Sequence, residues 1–109
     1  LMQTKGVWQG ILTLEEGTPK KVKVGSFTLN SIFHFMVGKR VIMRVIINPT
    51  GESQEELGEL ATTGKLEYEE KKSQFLLDKY PLFDLLEGFD QKNVKIHLEL
   101  DQSVLSSRM

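Results

Sequence analysis

Six basic residues in the first part of the sequence could contact phosphate groups. They fall in a lysine-rich stretch after a Gly-Thr-Pro turn and in a second group that follows Gly38. They are Lys20, Lys21, Lys23, Lys39, Arg40 and Arg44. Trp8, Phe33 and Phe35 could add stacking surfaces, and basic groups combined with aromatic rings suit single-stranded nucleic acid. Nucleic-acid or nucleotide binding is therefore one hypothesis.

The charge is divided unevenly along the chain, although its net value is only -1. Residues 1–54 carry seven Lys and Arg against three acids, whereas residues 55–109 carry seven against twelve. One interpretation is two solvated surfaces that attract each other weakly. The other is a basic surface for an anionic partner.

Histidines and paired carboxylates offer little that points to catalysis. His34 falls off the apolar stripe of a predicted helix, and His97 falls on the polar face of a predicted strand. The pairs Glu15-Glu16 and Glu69-Glu70 fall at predicted turns, where water keeps carboxylates ionised. The sequence contains no phosphate-binding glycine loop, dinucleotide fingerprint or zinc motif. We therefore predict no metal, no cofactor and no enzymatic activity.

The elements that must position these residues are encoded by a pattern that occurs twice, 53 positions apart. Apolar residues of a predicted helix and of the strand after it recur at that offset. Leu29, Ile32, Phe33 and Met36 recur as Leu82, Leu85, Leu86 and Phe89, and Val41, Met43 and Val45 recur as Val94, Ile96 and Leu98. Internal duplication predicts two similar structural units.

Each unit is predicted to form two strands, a helix and a further strand. Alternating apolar residues indicate strands at 7–14, 22–24 and 41–47, while the period changes to helical from Thr28. Ser26 or Thr28 would cap the first helix, and Pro81 would begin the second. The predicted fold is α+β: two tandem ββαβ repeats with pseudo-two-fold symmetry form one mostly antiparallel sheet or partly closed barrel, with two short helices.

The predicted organisation is a single domain over residues 1–109. Repeat one covers 6–47, a polar linker 48–58, repeat two 59–101 and a tail 102–109. Each repeat of about fifty residues would bury too little apolar surface to be stable alone. The two repeats should therefore share one core.

One difference between the repeats suggests a surface for a partner. The strand at 41–47 has Ile42 and Ile46 on the face opposite its core residues, where repeat two has Lys95 and Glu99. A strand that is apolar on both faces is covered by another layer or lies at a subunit contact. Phe35, which also falls off the apolar stripe, is a third candidate contact residue.

The composition limits the remaining function classes. The chain has no cysteine, which excludes disulfides, thiolate metal sites and thiol nucleophiles. No apolar run reaches the roughly 20 residues of a membrane span, and the N-terminal residues lack the apolar stretch of a signal peptide. We predict a cytoplasmic protein without a membrane partner.

The leading functional hypothesis is a small non-enzymatic binding or assembly module, an accessory protein that contacts another protein or a second copy of itself. Nucleic-acid or nucleotide binding through the basic first repeat is the alternative. A third hypothesis is a small enzyme or ligand binder with a cleft between the repeats, because repeat interfaces provide clefts.

Overall fold

The computed structural model describes residues 5–47, here called the first half, and residues 58–101, the second half. They form an α+β fold with one eight-stranded sheet and two short helices. The strands are β1 (Lys5–Glu15), β2 (Lys21–Val24), β3 (Phe27–Thr28), β4 (Arg40–Ile47), β5 (Gly58–Glu69), β6 (Gln74–Leu77), β7 (Tyr80–Pro81) and β8 (Asn93–Leu100). The helices are α1 (Asn30–Met36) and α2 (Leu82–Leu86), and a 3-10 turn, Glu87–Phe89, continues α2.

The strands lie in the order β3-β2-β1-β8-β4-β5-β6-β7. Each neighbouring pair in this part of the chain is antiparallel. The two central strands come from different halves: β8 lies between β1 and β4, and β4 lies between β8 and β5. Each half therefore supplies its last strand to the centre of the common sheet.

The long strands β1 and β5 each pair with two partners. The first part of β1 pairs with β8 and its last part with β2, while β5 pairs first with β4 and then with β6. Gly10 and Gly64 lie where the partner changes. A Cβ atom on Gly10 would lie 2.9 Å from the Gly25 nitrogen, and one on Gly64 would lie 2.6 Å from the Asp78 Cβ. Both positions therefore require glycine.

The core is a single cluster to which both halves contribute. Its helical members lie on the predicted apolar stripes, and its strand members alternate as predicted. The fully or almost fully buried side chains include Leu12, Leu29, Phe33, Val41, Met43, Val45, Leu66, Leu82, Leu86, Val94, Ile96 and Leu98. The helices pack on one side of the sheet, because their buried residues belong to the same cluster as the inward residues of β4 and β8.

The starts of both helices differ from the sequence-based expectation. Leu29, not Ser26 or Thr28, is the N-cap of α1, and its side chain makes no capping bond. Thr28 belongs instead to β3, and Asn30 of the first turn accepts from the Val22 N–H at 3.1 Å. Pro81 precedes α2 as its N-cap and pairs with Leu76. Pairing with the sheet edge therefore delays both helices.

The regions on either side of the two halves carry no structural description here. Residues 48–57 of the predicted linker and the predicted tail, 102–109, lie outside the described residues. Gly38, two residues after the end of α1, has a φ of +86° and donates its N–H to the Leu66 carbonyl at 2.7 Å. This bond joins the end of α1 to a strand of the other half.

Leu86→Ala should lower the free energy of unfolding by about 2–5 kcal/mol, because it leaves a cavity in a core that relaxes only in part. Leu86 is completely buried, whereas Leu85, one position away, is only partly buried. Leu85→Ala should therefore cost less. Urea denaturation followed by circular dichroism measures both losses, and two separate transitions would contradict a single shared core.

Candidate functional site

The four central strands present one face to the core and the other to solvent. On β4 the buried residues alternate with Ile42, Arg44 and Ile46, which point away from the core. The register of the neighbouring strands places further residues on this outer face. The outer face comprises Lys5, Val7, Gln9, Ile11, Ile42, Arg44, Ile46, Glu59, Ala61, Thr63, Lys95, His97 and Glu99.

Within residues 5–47 and 58–101, no element covers the outer face. Both helices pack on the opposite side of the sheet. Val7 is 49% exposed and Ile11 46%, and the Arg44 side chain is 50% exposed. The outer face is therefore available to a partner over at least β1 and the middle of β4.

Ile42 and Ile46, the predicted contact residues, are half-buried. In the pairing of β4 with β8, Ile42 lies opposite Glu99 and Ile46 lies opposite Lys95. Central strand position thus accounts for the partial burial, since side chains on both neighbouring strands flank each isoleucine. Their role in partner binding stays a prediction.

Phe35 lies apart from these isoleucines. It is 49% exposed on α1, between the buried Phe33 and Met36. Because α1 packs on the core side of the sheet, Phe35 and the outer face are on opposite sides of the sheet layer. The ring has the Lys39 ammonium 5.8 Å from its centroid, which is an intramolecular cation–π contact.

Four of the six candidate basic residues already pair with a carboxylate. Their nitrogen–oxygen distances are 2.7 Å for Lys20–Glu16, 3.1 Å for Lys23–Glu15, 3.2 Å for Arg40–Asp101 and 2.6 Å for Arg44–Glu59. Lys21 is exposed on β2, opposite Glu15 in the register. These acids reduce the positive potential that a phosphate would meet.

The aromatic residues of the nucleic-acid hypothesis do not form one stacking platform. Phe33 is only 1% exposed, and its ring packs 5.4 Å from Phe75. Trp8 is half-buried against the core and lies so close to Gly6 that a Cβ there would come within 2.5 Å of the indole. Binding of nucleic acid stays a prediction, with Phe35 as its one exposed ring among the three.

The two histidines have different surroundings. His34 is exposed on α1, and its ring packs 5.0 Å from Tyr68 and 4.7 Å from Phe75. His97 lies on the outer face, opposite Val7 on β1 and Arg44 on β4. The described residues contain no group of three or more acids and histidines that could hold a metal ion.

Four exposed apolar residues were missed by the sequence reasoning. Val7 and Ile11 alternate with Trp8 and Leu12 on β1, so the period-two pattern could have identified them on the outer face. Phe27 is 61% exposed and Tyr80 65% exposed, at the two edge strands. These strands are only two residues long, which is too short for a recognisable alternation.

Comparisons with protein-family models, curated proteins and solved structures gave no match. The function must therefore be argued from the geometry of the described residues. Neither of the helices in this part of the chain is long and apolar enough to cross a membrane.

The double variant Ile42→Lys with Ile46→Glu should remain folded, losing about 1–3 kcal/mol of stability, because both side chains keep access to water. Val45→Glu is the matched control, since Val45 lies between them on the same strand and is 0% exposed. Its buried, unpaired charge should unfold the domain. Thermal unfolding by circular dichroism distinguishes the two results, and an unfolded double variant would show that the outer face is covered.

Proposed function

We propose that the chain is a small non-enzymatic assembly module that pairs with a second copy of itself through the outer face. It is built of two tandem ββαβ repeats about a pseudo-two-fold axis, each with an additional two-residue strand before its helix. The observation that carries the proposal is the arrangement of apolar and charged residues on this face. A cytoplasmic location is part of the proposal.

The order of the strands supports the repeat. Each strand of the first half has a counterpart in the second: β1 and β5, β2 and β6, β3 and β7, β4 and β8. When every strand is replaced by its counterpart, the order becomes β7-β6-β5-β4-β8-β1-β2-β3, which is the observed order read from the opposite edge. The helix also lies at the same place in the sequence of elements in both halves. A two-fold axis between β8 and β4 would produce this order.

Reciprocal backbone hydrogen bonds between the halves support the same axis. The Gly38 N–H donates to the Leu66 carbonyl at 2.7 Å, and the Gln91 N–H donates to the Leu12 carbonyl at 2.7 Å. Gln91 follows Gly38 by 53 positions, and Leu66 follows Leu12 by 54. Gln91 also has a positive φ of 67°, as Gly38 does. The matching donors, acceptors and conformations are those expected of a duplicated unit.

The residues of the outer face are arranged so that the face of one copy could pair with the same face of a second copy. His97 and Arg44 are opposite each other in the middle row of the face, and Ile42 and Ile46 lie at equal distances on either side of it. Lys95 and Glu99 flank His97 in the same way on β8. A two-fold axis parallel to the face and along this row would place Ile42 against Ile46 of a second copy, and Lys95 against Glu99. Apolar and charged groups would both meet suitable partners.

The extent of the face indicates a weak association. Four strands about 4.8 Å apart and roughly seven residues at about 3.3 Å each give a flat area of about 440 Å² per copy. Stable interfaces bury about 800 Å² per partner. We therefore expect a reversible dimer that forms in the micromolar to millimolar range. Arg44 does not oppose this pairing strongly, because Glu59 already neutralises it.

Exchanging the charges tests this arrangement. Lys95→Glu or Glu99→Lys alone should give a monomer, because like charges would then meet across the interface. The double variant Lys95→Glu with Glu99→Lys should restore the dimer, because the complementary pattern is re-formed with opposite sign. Sedimentation equilibrium from micromolar to millimolar concentration measures the mass.

Lys71→Glu is the control for net charge, since Lys71 lies exposed in the turn between β5 and β6. It should leave the dimer unchanged. A wild-type chain that stays monomeric throughout the range would contradict self-association. Single variants that dimerise, together with a double variant that stays monomeric, would contradict the proposed charge pairing. Salt-dependent retention of a monomeric wild type on single-stranded DNA would favour the nucleic-acid alternative instead.

A further inference from the structure

A cleft of about 300 Å³ opens between the turn that follows β1 and the helix α2. It is lined from both halves of the chain. Its lining residues are Leu14, Glu16, Lys20, Gln74, Phe83, Asp84, Glu87 and Asp90. The volume is at the lower limit of small-molecule sites, so it could admit one extended side chain or a compact ligand.

The Lys20 side chain, which lines the cleft, shows how an ammonium group can be bound there. The Lys20 Nζ lies 2.7 Å from a Glu16 carboxylate oxygen and 5.4 Å from the centroid of the Phe83 ring. A carboxylate together with an aromatic face is a common binding arrangement for an organic cation. Lys20 is the one cation among the residues that line the cleft, which otherwise carry four carboxylates.

Gln74 provides an acceptor in the lining. It is only 7% exposed, and its Nε2 donates to the Glu69 Oε1 at 2.8 Å, which fixes the orientation of the amide. Its amide oxygen accepts no hydrogen bond from the described residues, although it retains some contact with solvent. This solvent-accessible amide oxygen can accept a hydrogen bond from a ligand in the cleft.

Asp90 is a second fixed acceptor. Its Oδ1 accepts the Leu14 N–H at 3.0 Å and the Gln91 Nε2–H at 3.3 Å. Among residues 5–47 and 58–101, no donor is found for the second carboxylate oxygen, Oδ2, so it can accept a further hydrogen bond. The carboxylates of the lining do not converge into a metal-binding group within this part of the chain. Acceptors that are spread around a cleft suit an extended organic cation better than a metal ion.

We propose that this cleft binds an organic cation with N–H donors, an alkylammonium or guanidinium group, between the Phe83 ring and the carboxylates of Asp84, Glu87 and Asp90. The cation comes either as a free amine or as a Lys or Arg side chain of a polypeptide. Gln74 accepts one of its hydrogen bonds, and the ligand joins or displaces the Lys20 ammonium.

The equivalent space is occupied by two rings, one from each half, a comparison that rests on the repeat proposed above. Leu14 corresponds to Tyr68, 54 positions later, and Glu87 corresponds to His34, 53 positions earlier. Tyr68 and His34 lie in ring contact at 5.0 Å, and both also contact Phe75. Smaller or acyclic side chains at the equivalent positions leave the cleft open.

Titration of the ¹⁵N-labelled full chain with agmatine, which carries both an amine and a guanidinium, tests the proposal. Saturable chemical-shift changes should be confined to residues around the cleft, and tetramethylammonium, which can contact the Phe83 ring but has no N–H donor, should bind much more weakly. Asp84→Asn with Glu87→Gln should weaken agmatine binding about three- to tenfold, as expected for two solvent-exposed ion pairs. Glu70→Gln with Asp78→Asn, an equal charge change at exposed positions, should leave it unchanged.

A second titration with a blocked Gly-Arg-Gly peptide identifies the source of the cation. Tighter binding of the peptide assigns the cleft to a polypeptide side chain, and tighter binding of agmatine assigns it to a free amine. The proposal is overturned if neither probe shifts the cleft residues, if tetramethylammonium acts equally, or if the cleft variant binds as the wild type does. Self-association is measured separately by mass, so its failure would not affect this result.

Discussion

The exchange of the last strand of each half is the constraint on which the whole fold depends. β4 makes its backbone hydrogen bonds to β8 and β5, and β8 makes its own to β1 and β4. Neither half alone can satisfy both edges of its last strand, and unpaired backbone groups in the interior are costly. The two halves are therefore joined by main-chain pairing in addition to side-chain packing.

This exchange also determines which surfaces remain for binding. With β4 and β8 adjacent at the centre, their inward residues form the middle of the core, and the helices that follow β3 and β7 cover that side. Over residues 5–47 and 58–101, the opposite side is left as an uncovered four-stranded face. Because the middle strands come from different halves, the face carries the apolar pattern of β4 beside the charged pattern of β8, which gives it two kinds of contact group.

Local elements could be predicted from the sequence, and their spatial neighbours could not. The apolar stripe of α1 and the alternation of β8 depend on residues close in the chain, so their period identifies them. The pairing of β1 with β8 joins residues far apart, and alternation alone does not specify a partner strand. The prediction for the start of α1 was wrong because Thr28 pairs with Lys23 across a short turn, and this strand pairing replaces its capping role.

The same limit applies to the sites. The spacing of Ile42 and Ile46 is enough to assign them to one face of their strand. Their neighbours on β8 and β5 are determined by the register of strand pairing, which the sequence pattern does not give. The cleft depends on still less local information, since it opens where Leu14 and Glu87 meet from different halves. Their counterparts in the proposed repeat, Tyr68 and His34, are rings that lie 5.0 Å apart. On that proposal, side-chain size alone distinguishes a packed aromatic contact from an open acidic cleft.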